Sequence, residues 1–417
     1  MRSYSRRDLL ATVGAAVATT GVVGATRPSG ETAEPRGRTT DRTAATAPPA
    51  SGAPLYRYDA TNTGVIDATG PTAPPTQLWR RRFDAGVYGP PAVVEDTCYV
   101  TTGDGRLRAL DATTGERSWS VRAADRLLTT PAVGTTGVHL CNENRVVRSV
   151  TTAEGSDRWR VGDRFRGGGQ TPPTLANGLV IGAGGDGRVF AFDTETGRAD
   201  WVVTLPRIVT RPLATDGRRV YVPLDERLVA VDARRAGEPS DSSDEDGGGD
   251  SDGPTGPAVR STSWGLGTDA PVRSGVAVGG GLVHVGTADE LLAVRRESGE
   301  PRWRVETDSP VVGAPALTEL LTVAATAGGA VVGLDPEVGA VRWRTALDGR
   351  VERGPVVADE TVHVVRTDGT VVALSFDGTV QWRLDHDATV STTPVVLDDR
   401  LYLADWDGTL TAYGSGN

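Results

Sequence analysis

The chain has 417 residues, with 53 Gly, 26 Pro, 38% hydrophobic and only 5% aromatic residues. That is enough apolar material for one large or two ordinary folded domains and too much for a disordered polymer. All 44 basic residues are Arg, and 36 Asp with 18 Glu bring the net charge to −10, which disfavours a basic nucleic-acid surface. The lack of Lys and the excess of Asp over Glu fit a GC-rich genome or a halophile, where hydrated carboxylates keep a protein soluble. Two cysteines with no Cys-x-x-Cys spacing exclude a disulfide framework.

Residues 1–25 read as an export leader: Arg6 and Arg7 precede the weakly apolar, uncharged run from Ala11 to Ala25. This resembles a twin-arginine (Tat) signal, which carries folded proteins, more than a stop-transfer helix, because the run is short and poorly hydrophobic for a membrane span. Left uncleaved, it would act as a membrane tether. The only cysteines are Cys98 and Cys141, so lipidation at the leader's end is excluded. Residues 26–54 are rich in Thr, Ala, Pro and Arg without periodicity and read as a solvated linker.

From residue 55 to 417, tryptophan acts as a ruler. Trp79, Trp119, Trp159, Trp201, Trp264, Trp303, Trp343 and Trp382 are spaced by 40, 40, 42, 63, 39, 40 and 39 residues, an internal repeat. The long interval exceeds 40 by 23, and the acidic, Gly- and Ser-rich stretch 236–258 supplies those 23 residues. Each unit carries signals for four short strands, as in Ala92–Val94, Cys98–Thr102, Arg106–Asp111 and the Trp119 strand, with turns at Asp104-Gly105 and Thr114-Gly115. The first turn returns at Asp186-Gly187, Asp368-Gly369 and Asp407-Gly408, and the second at Thr196-Gly197, Ser298-Gly299 and Asp377-Gly378.

Four-stranded antiparallel units at this period predict an all-β fold, an eight-bladed β-propeller. The last unit ends after its third strand, Thr409 to Tyr413, while the Trp79 strand has no preceding three. Pairing these halves closes the ring and removes an open edge.

The stretch Ala109-Leu110-Asp111-Ala112-Thr113-Thr114-Gly115-Glu116-Arg117-Ser118-Trp119 resembles the PQQ-type propeller repeat, A-x-D-x-x-T-G-x-x-x-W, and Ala191, Asp193, Thr196, Gly197 and Trp201 match it again. Asp335, Gly339 and Trp343 match with Gly333 in place of Ala, and Arg295 replaces the Asp in the fifth unit. The resemblance covers roughly residues 55–414. It implies either a quinoprotein dehydrogenase, holding pyrroloquinoline quinone and calcium on the propeller axis, or a non-catalytic scaffold similar to the outer-membrane assembly propeller BamB. The dehydrogenases carry a vicinal Cys-Cys pair, which this chain lacks. The scaffold branch is therefore the expectation: no catalytic residue, no metal and no cofactor, with a protein partner or a small anionic ligand, outside the cytoplasm and as a monomer.

Arg126, Arg207 and Arg350 each stand five residues before a blade-opening Pro, with Arg166 nearby in the third unit. They are expected at the funnel mouth, on the face of the Asp-Gly turns, as a basic patch for an anion or an acidic partner. The alternative is pairing with Asp104, Asp186 or Asp368. Trp406, in a turn where closure needs no aromatic, is either a contact anchor or packed on a neighbouring blade's loop. Arg80, Arg160, Arg304, Arg344 and Arg383, each following a ruler Trp, are expected to guard exposed outer strands.

His139, His284 and His363 share one repeat column with Tyr99, Tyr221 and Tyr402 on blades too far apart for one metal ion, and His386 is expected to be solvated. Cys98 and Cys141 occupy columns of opposite parity and are expected to be separate, buried thiols. The insertion holds Glu238, Asp241, Asp244, Glu245, Asp246, Asp250 and Asp252 without a base. It is expected to be a solvated loop that fits no EF-hand spacing.

Overall fold

A computed structural model of the protein describes residues 52–142, 146–162, 171–236 and 257–415. The expected leader, most of the expected linker, Arg166 and most of the acidic insertion lie outside these residues. Among the described residues all helices are absent, and the strands form eight sheets. Blade 1 runs from the innermost strand Ala92–Val94 through Thr97–Thr101 and Arg106–Asp111 to the outer strand Arg117–Arg122. Blades 2 to 7 repeat this order. Blade 8 joins Val395–Leu397, Arg400–Ala404 and Thr409–Gly414 to Thr76–Arg82, with Trp79 opposite Ala412. The expected closure of the ring is therefore present, and it is built from residues more than 300 positions apart.

The repeat motif has a packing cause. In blade 1, Tyr99, Ala109 and Trp119 lie side by side on the second, third and fourth strands. The small central residue lets the two aromatic rings meet above it, with centroids 5.9 Å apart. Six of the eight outer Trp residues then donate to the next blade. Trp119 Nε1 donates to the Thr152 carbonyl at 3.2 Å and Trp303 Nε1 to the Pro336 carbonyl at 3.1 Å. Trp382 of blade 7 donates instead to Pro71, ahead of the closing strand, at 3.0 Å. Trp201 is fully buried, yet its Nε1 has no partner among the described residues. Its counterpart turn in blade 4 is the one that carries the insertion.

The insertion leaves its mark on blade 3 as well. Ala258 and Val259 add a fifth, parallel strand beside Trp201 and Val202. The outer-strand arginines Arg80, Arg160, Arg304, Arg344 and Arg383 are all exposed.

Among the described residues, loops from the outer strands back to the axis cross over the second-to-third turn of the same blade. At Gly105 (φ +78°) an added Cβ would lie 1.9 Å from the Ala124 carbonyl oxygen, so both the positive φ and the close approach require glycine. These loops and the Asp-Gly turns thus share one face of the ring.

Candidate functional site

The segment from Ala53 to Thr69 winds around the axis at the far end of the innermost strands. Its carbonyls accept from the backbone N–H of Val93, Val133, Thr215, Val278, Leu317, Val357 and Asp399, which belong to blades 1, 2, 4, 5, 6, 7 and 8. Leu55 packs with Leu175 of blade 3. Val65 and Ile66 pair in parallel with Val357 and Ala358. Among the described residues, bonds between this segment and the ring run from Ala53 to Thr69.

Inside this turn Asn62 Nδ2 donates to the Leu213 and Val276 carbonyls, and the Val396 N–H donates to the Tyr58 hydroxyl. Arg57 is buried, and its Nη2 donates to the Pro315 carbonyl at 2.9 Å. Burial pulls the Arg57 guanidinium below the usual arginine value, with Tyr56, Tyr58 and Asp59 opposing.

Above this segment, on the face of the Asp-Gly turns, lies an axial cavity of about 480 Å³, within the ~300–1,000 Å³ range of small-molecule sites. Its wall includes Tyr56 from the axial segment, Tyr88, Thr129 and Thr130, Arg211, Arg273, Glu352 and Arg353, and the run Ser391 to Thr393. An arginine cluster at the axis is therefore present, but its members differ from the expected ones. Arg126, Arg207 and Arg350 are exposed on the same face and are not part of the cavity wall. Arg207 sits where its loop crosses the Asp186-Gly187 turn, its carbonyl oxygen 2.8 Å from an added Cβ on Gly187. It borders a separate hollow of about 340 Å³ with Leu224, Asp225, Glu226 and Arg227.

The turn aspartates have partners closer in sequence. Asp104 pairs with Arg108 at 3.2 Å and Arg106 at 3.6 Å, Asp186 with Arg188 at 3.7 Å, and Asp368 with Arg366. An offset of five residues places a side chain over a turn, whereas Arg211 and Arg353 stand one and two residues before the opening prolines Pro212 and Pro355. Alignment on those prolines was the signal that would have found them.

Trp406 packs edge-on against Tyr88 with centroids 5.4 Å apart and stays 47% exposed. Tyr88 belongs to the loop entering blade 1, so Trp406 both rests on a neighbouring loop and presents an aromatic surface at the cavity rim.

The histidine column is structural. His139, His284 and His363 lie 5.7, 5.5 and 5.6 Å from Trp159, Trp303 and Trp382. Burial pulls them down to about 3, 4 and 4 respectively, so they are neutral at pH 7. His386 is not solvated: it is 5% exposed, with Nδ1 2.7 Å from the Tyr413 hydroxyl and Nε2 3.9 Å from Asp405. The loop that carries it folds over the Asp368-Gly369 turn, where the His386 carbonyl would lie 2.4 Å from an added Cβ on Gly369.

Cys98 and Cys141 are free and buried in different core clusters, and burial pushes both thiols up, Cys141 to about 12. Among the described residues no group of three His, Cys, Asp or Glu is placed to hold a metal. Calcium takes six to eight oxygen ligands, and among the described residues the wall carries three arginines and a single carboxylate, Glu352.

Eight blades, six of them locked to the next by an outer Trp that donates to its third-to-fourth turn, define a β-propeller of the PQQ-type repeat class. The chain belongs to the family whose model is described as "Outer membrane protein assembly factor BamB", which matches residues 34–140, 142–239, 254–349 and 327–417. It is 26% identical over 299 residues to the protein of that name from Burkholderia pseudomallei, covering 68% of this chain and 61% of the relative. It is also 30% identical over 169 residues to the serine/threonine-protein kinase AfsK of Streptomyces coelicolor, covering 38% of this chain and 19% of that protein. The chain thus spans less than two thirds of the length of these relatives.

Among solved structures, BamB from Moraxella catarrhalis superposes with a TM-score of 0.64 at 17% identity, covering 82% of this chain and 99% of that one. Quinohemoprotein alcohol dehydrogenase from Comamonas testosteroni superposes with a TM-score of 0.68 at 13% identity, covering 88% and 81%. At these identities the likeness is one of fold alone.

Proposed function

We propose that this propeller is a non-catalytic scaffold that binds a protein partner through the face carrying the Asp-Gly turns. The observation that carries this reading is the make-up of that face: the exposed Trp406 on Tyr88, the exposed Ile208 beside Arg207, and arginine-bearing loops, all presented by a rigid ring. Aromatic and arginine side chains on a preorganised surface are the usual anchors of protein recognition. The family description, an assembly factor, supports the same direction.

Photo-crosslinking tests it. A photoreactive residue at Arg126, Ile208 or Trp406 should give discrete adducts with a partner in the native cell, and one at Val338 on the opposite face should not. Adducts at Val338 alone would move the binding surface to the other side and sink the reading.

We further propose that the protein works outside the cytoplasm after Tat export. Arg6 and Arg7 before an uncharged apolar run motivate this, since the pathway passes folded cargo. Replacing both with Lys should hold the protein inside the cell, as followed by fractionation; unchanged export would exclude the Tat route.

A further inference from the structure

We propose that the axial cavity is a binding site for a compact, multivalent oxyanion, a small organic acid or phosphate ester. This goes beyond the scaffold reading and does not depend on it. Two observations converge on the same wall. The first is charge: Arg211, Arg273 and Arg353 face one carboxylate, Glu352, on a protein whose net charge is −10. Among the described residues none of the three arginines forms an ion pair, whereas the exposed arginines Arg304 and Arg344 do.

The second is the arrangement of those cations. Arg211 Nη1 donates to the Arg273 carbonyl at 2.7 Å, which holds two positively charged residues together. Burial, then the Arg273 charge, pulls Arg211 below the usual arginine value, with Asp225 opposing. Arg353 is fixed from the other side, with Nε and Nη2 donating to the Ser391 carbonyl at 3.0 and 2.7 Å. Like charges confined in this way are relieved by an anion between them.

Guanidinium groups can only donate, so three of them in one wall call for an acceptor-rich ligand. With the far end of the axis occupied by residues 53–69, the ligand enters from the Asp-Gly face only.

Isothermal titration of the purified protein at low salt, with citrate and with inorganic pyrophosphate as probes, tests this. At least one probe should bind 1:1, and which one binds separates a carboxylate from a phosphate source. The double variant Arg211→Gln/Arg273→Gln should weaken binding at least about tenfold, equivalent to ~1.4 kcal/mol. Raising salt tenfold should weaken it as well. Arg302→Gln, on an exposed outer strand, should leave affinity within about twofold. Failure of both probes to bind the native protein, or equal affinity in the Arg211/Arg273 variant with its melting temperature retained, would overturn the proposal.

Discussion

A chain that begins at Phe83 is expected not to fold cooperatively, because it lacks both the axial segment and the strand that completes blade 8. Without Thr76–Arg82, Tyr413, Ala412 and Leu410 lose their strand partner, and Trp79 no longer donates to the Ala112 carbonyl of blade 1. Loss of one buried Trp costs ~3–5 kcal/mol, and an open sheet edge adds a route to aggregation. A chain that begins at Pro75 keeps this strand and loses only residues upstream, which separates the two contributions.

The Pro75 chain should fold but melt at least about 10 °C lower, since Leu55, Tyr58 and eight backbone hydrogen bonds around the axis disappear. Arg57, Tyr58 and Asn62 hold positive φ values of 56°, 76° and 55°, a cost of ~1–3 kcal/mol each that only contact with the ring offsets. Urea unfolding followed by near-ultraviolet circular dichroism distinguishes the two chains. A sharp native-like transition in the Phe83 chain would show that the ring closes without its terminal strand.

The fold was legible in the sequence because a propeller states itself many times. Ala109, Ala191 and Gly333 recur at one column since a Trp must lie across the third strand, and the turn glycines recur since loops press on them. Independent repeats of one packing problem make the answer readable in spite of local departures. Closure was legible for a related reason: one unit lacked a strand at one end, and the Trp79 strand stood unpaired at the other.

The binding face was legible only in outline. Its side of the ring follows from strand direction, so Arg126, Arg207 and Arg350 fall on the face expected. Which arginine reaches the axis depends on how far a loop travels before its opening proline, and composition does not report that distance. Of the axial segment only Tyr56 to Gly64 was legible, as a stretch that resembles the entry into such propellers; its path around the axis was not. Residues 53–69 have neither strand nor helix periodicity, and their order comes from hydrogen bonds to seven blades at once. His386 misled for the same reason: a polar residue in a connecting loop reads as solvated unless the fold of that loop over its own blade is known.

Gly339→Ala is expected to be among the most destabilising single substitutions in the outer layer, and Gly281→Ala provides its control. Both glycines hold nearly the same backbone, φ +72° and +75°, so alanine at either position meets a similar left-handed penalty of ~1–2 kcal/mol. Their surroundings differ. A Cβ on Gly281 meets nothing within 4 Å, whereas one on Gly339 lies 2.7 Å from the ring carbons of Trp303 in the preceding blade.

Trp303 cannot withdraw without losing the hydrogen bond from its Nε1 to the Pro336 carbonyl and its contact with His284, so overpacking adds a further ~1–3 kcal/mol. The urea midpoint of Gly339→Ala should therefore fall at least twice as far as that of Gly281→Ala. Replacing Trp303 by Phe in the Gly339→Ala background should recover part of the difference, because the smaller ring leaves room for the methyl group. If the two glycine variants fall equally and the Phe change recovers nothing, the ring of Trp303 is not what locks blade 5 to blade 6. Stability would then reside in the innermost strands and the axial segment that binds them.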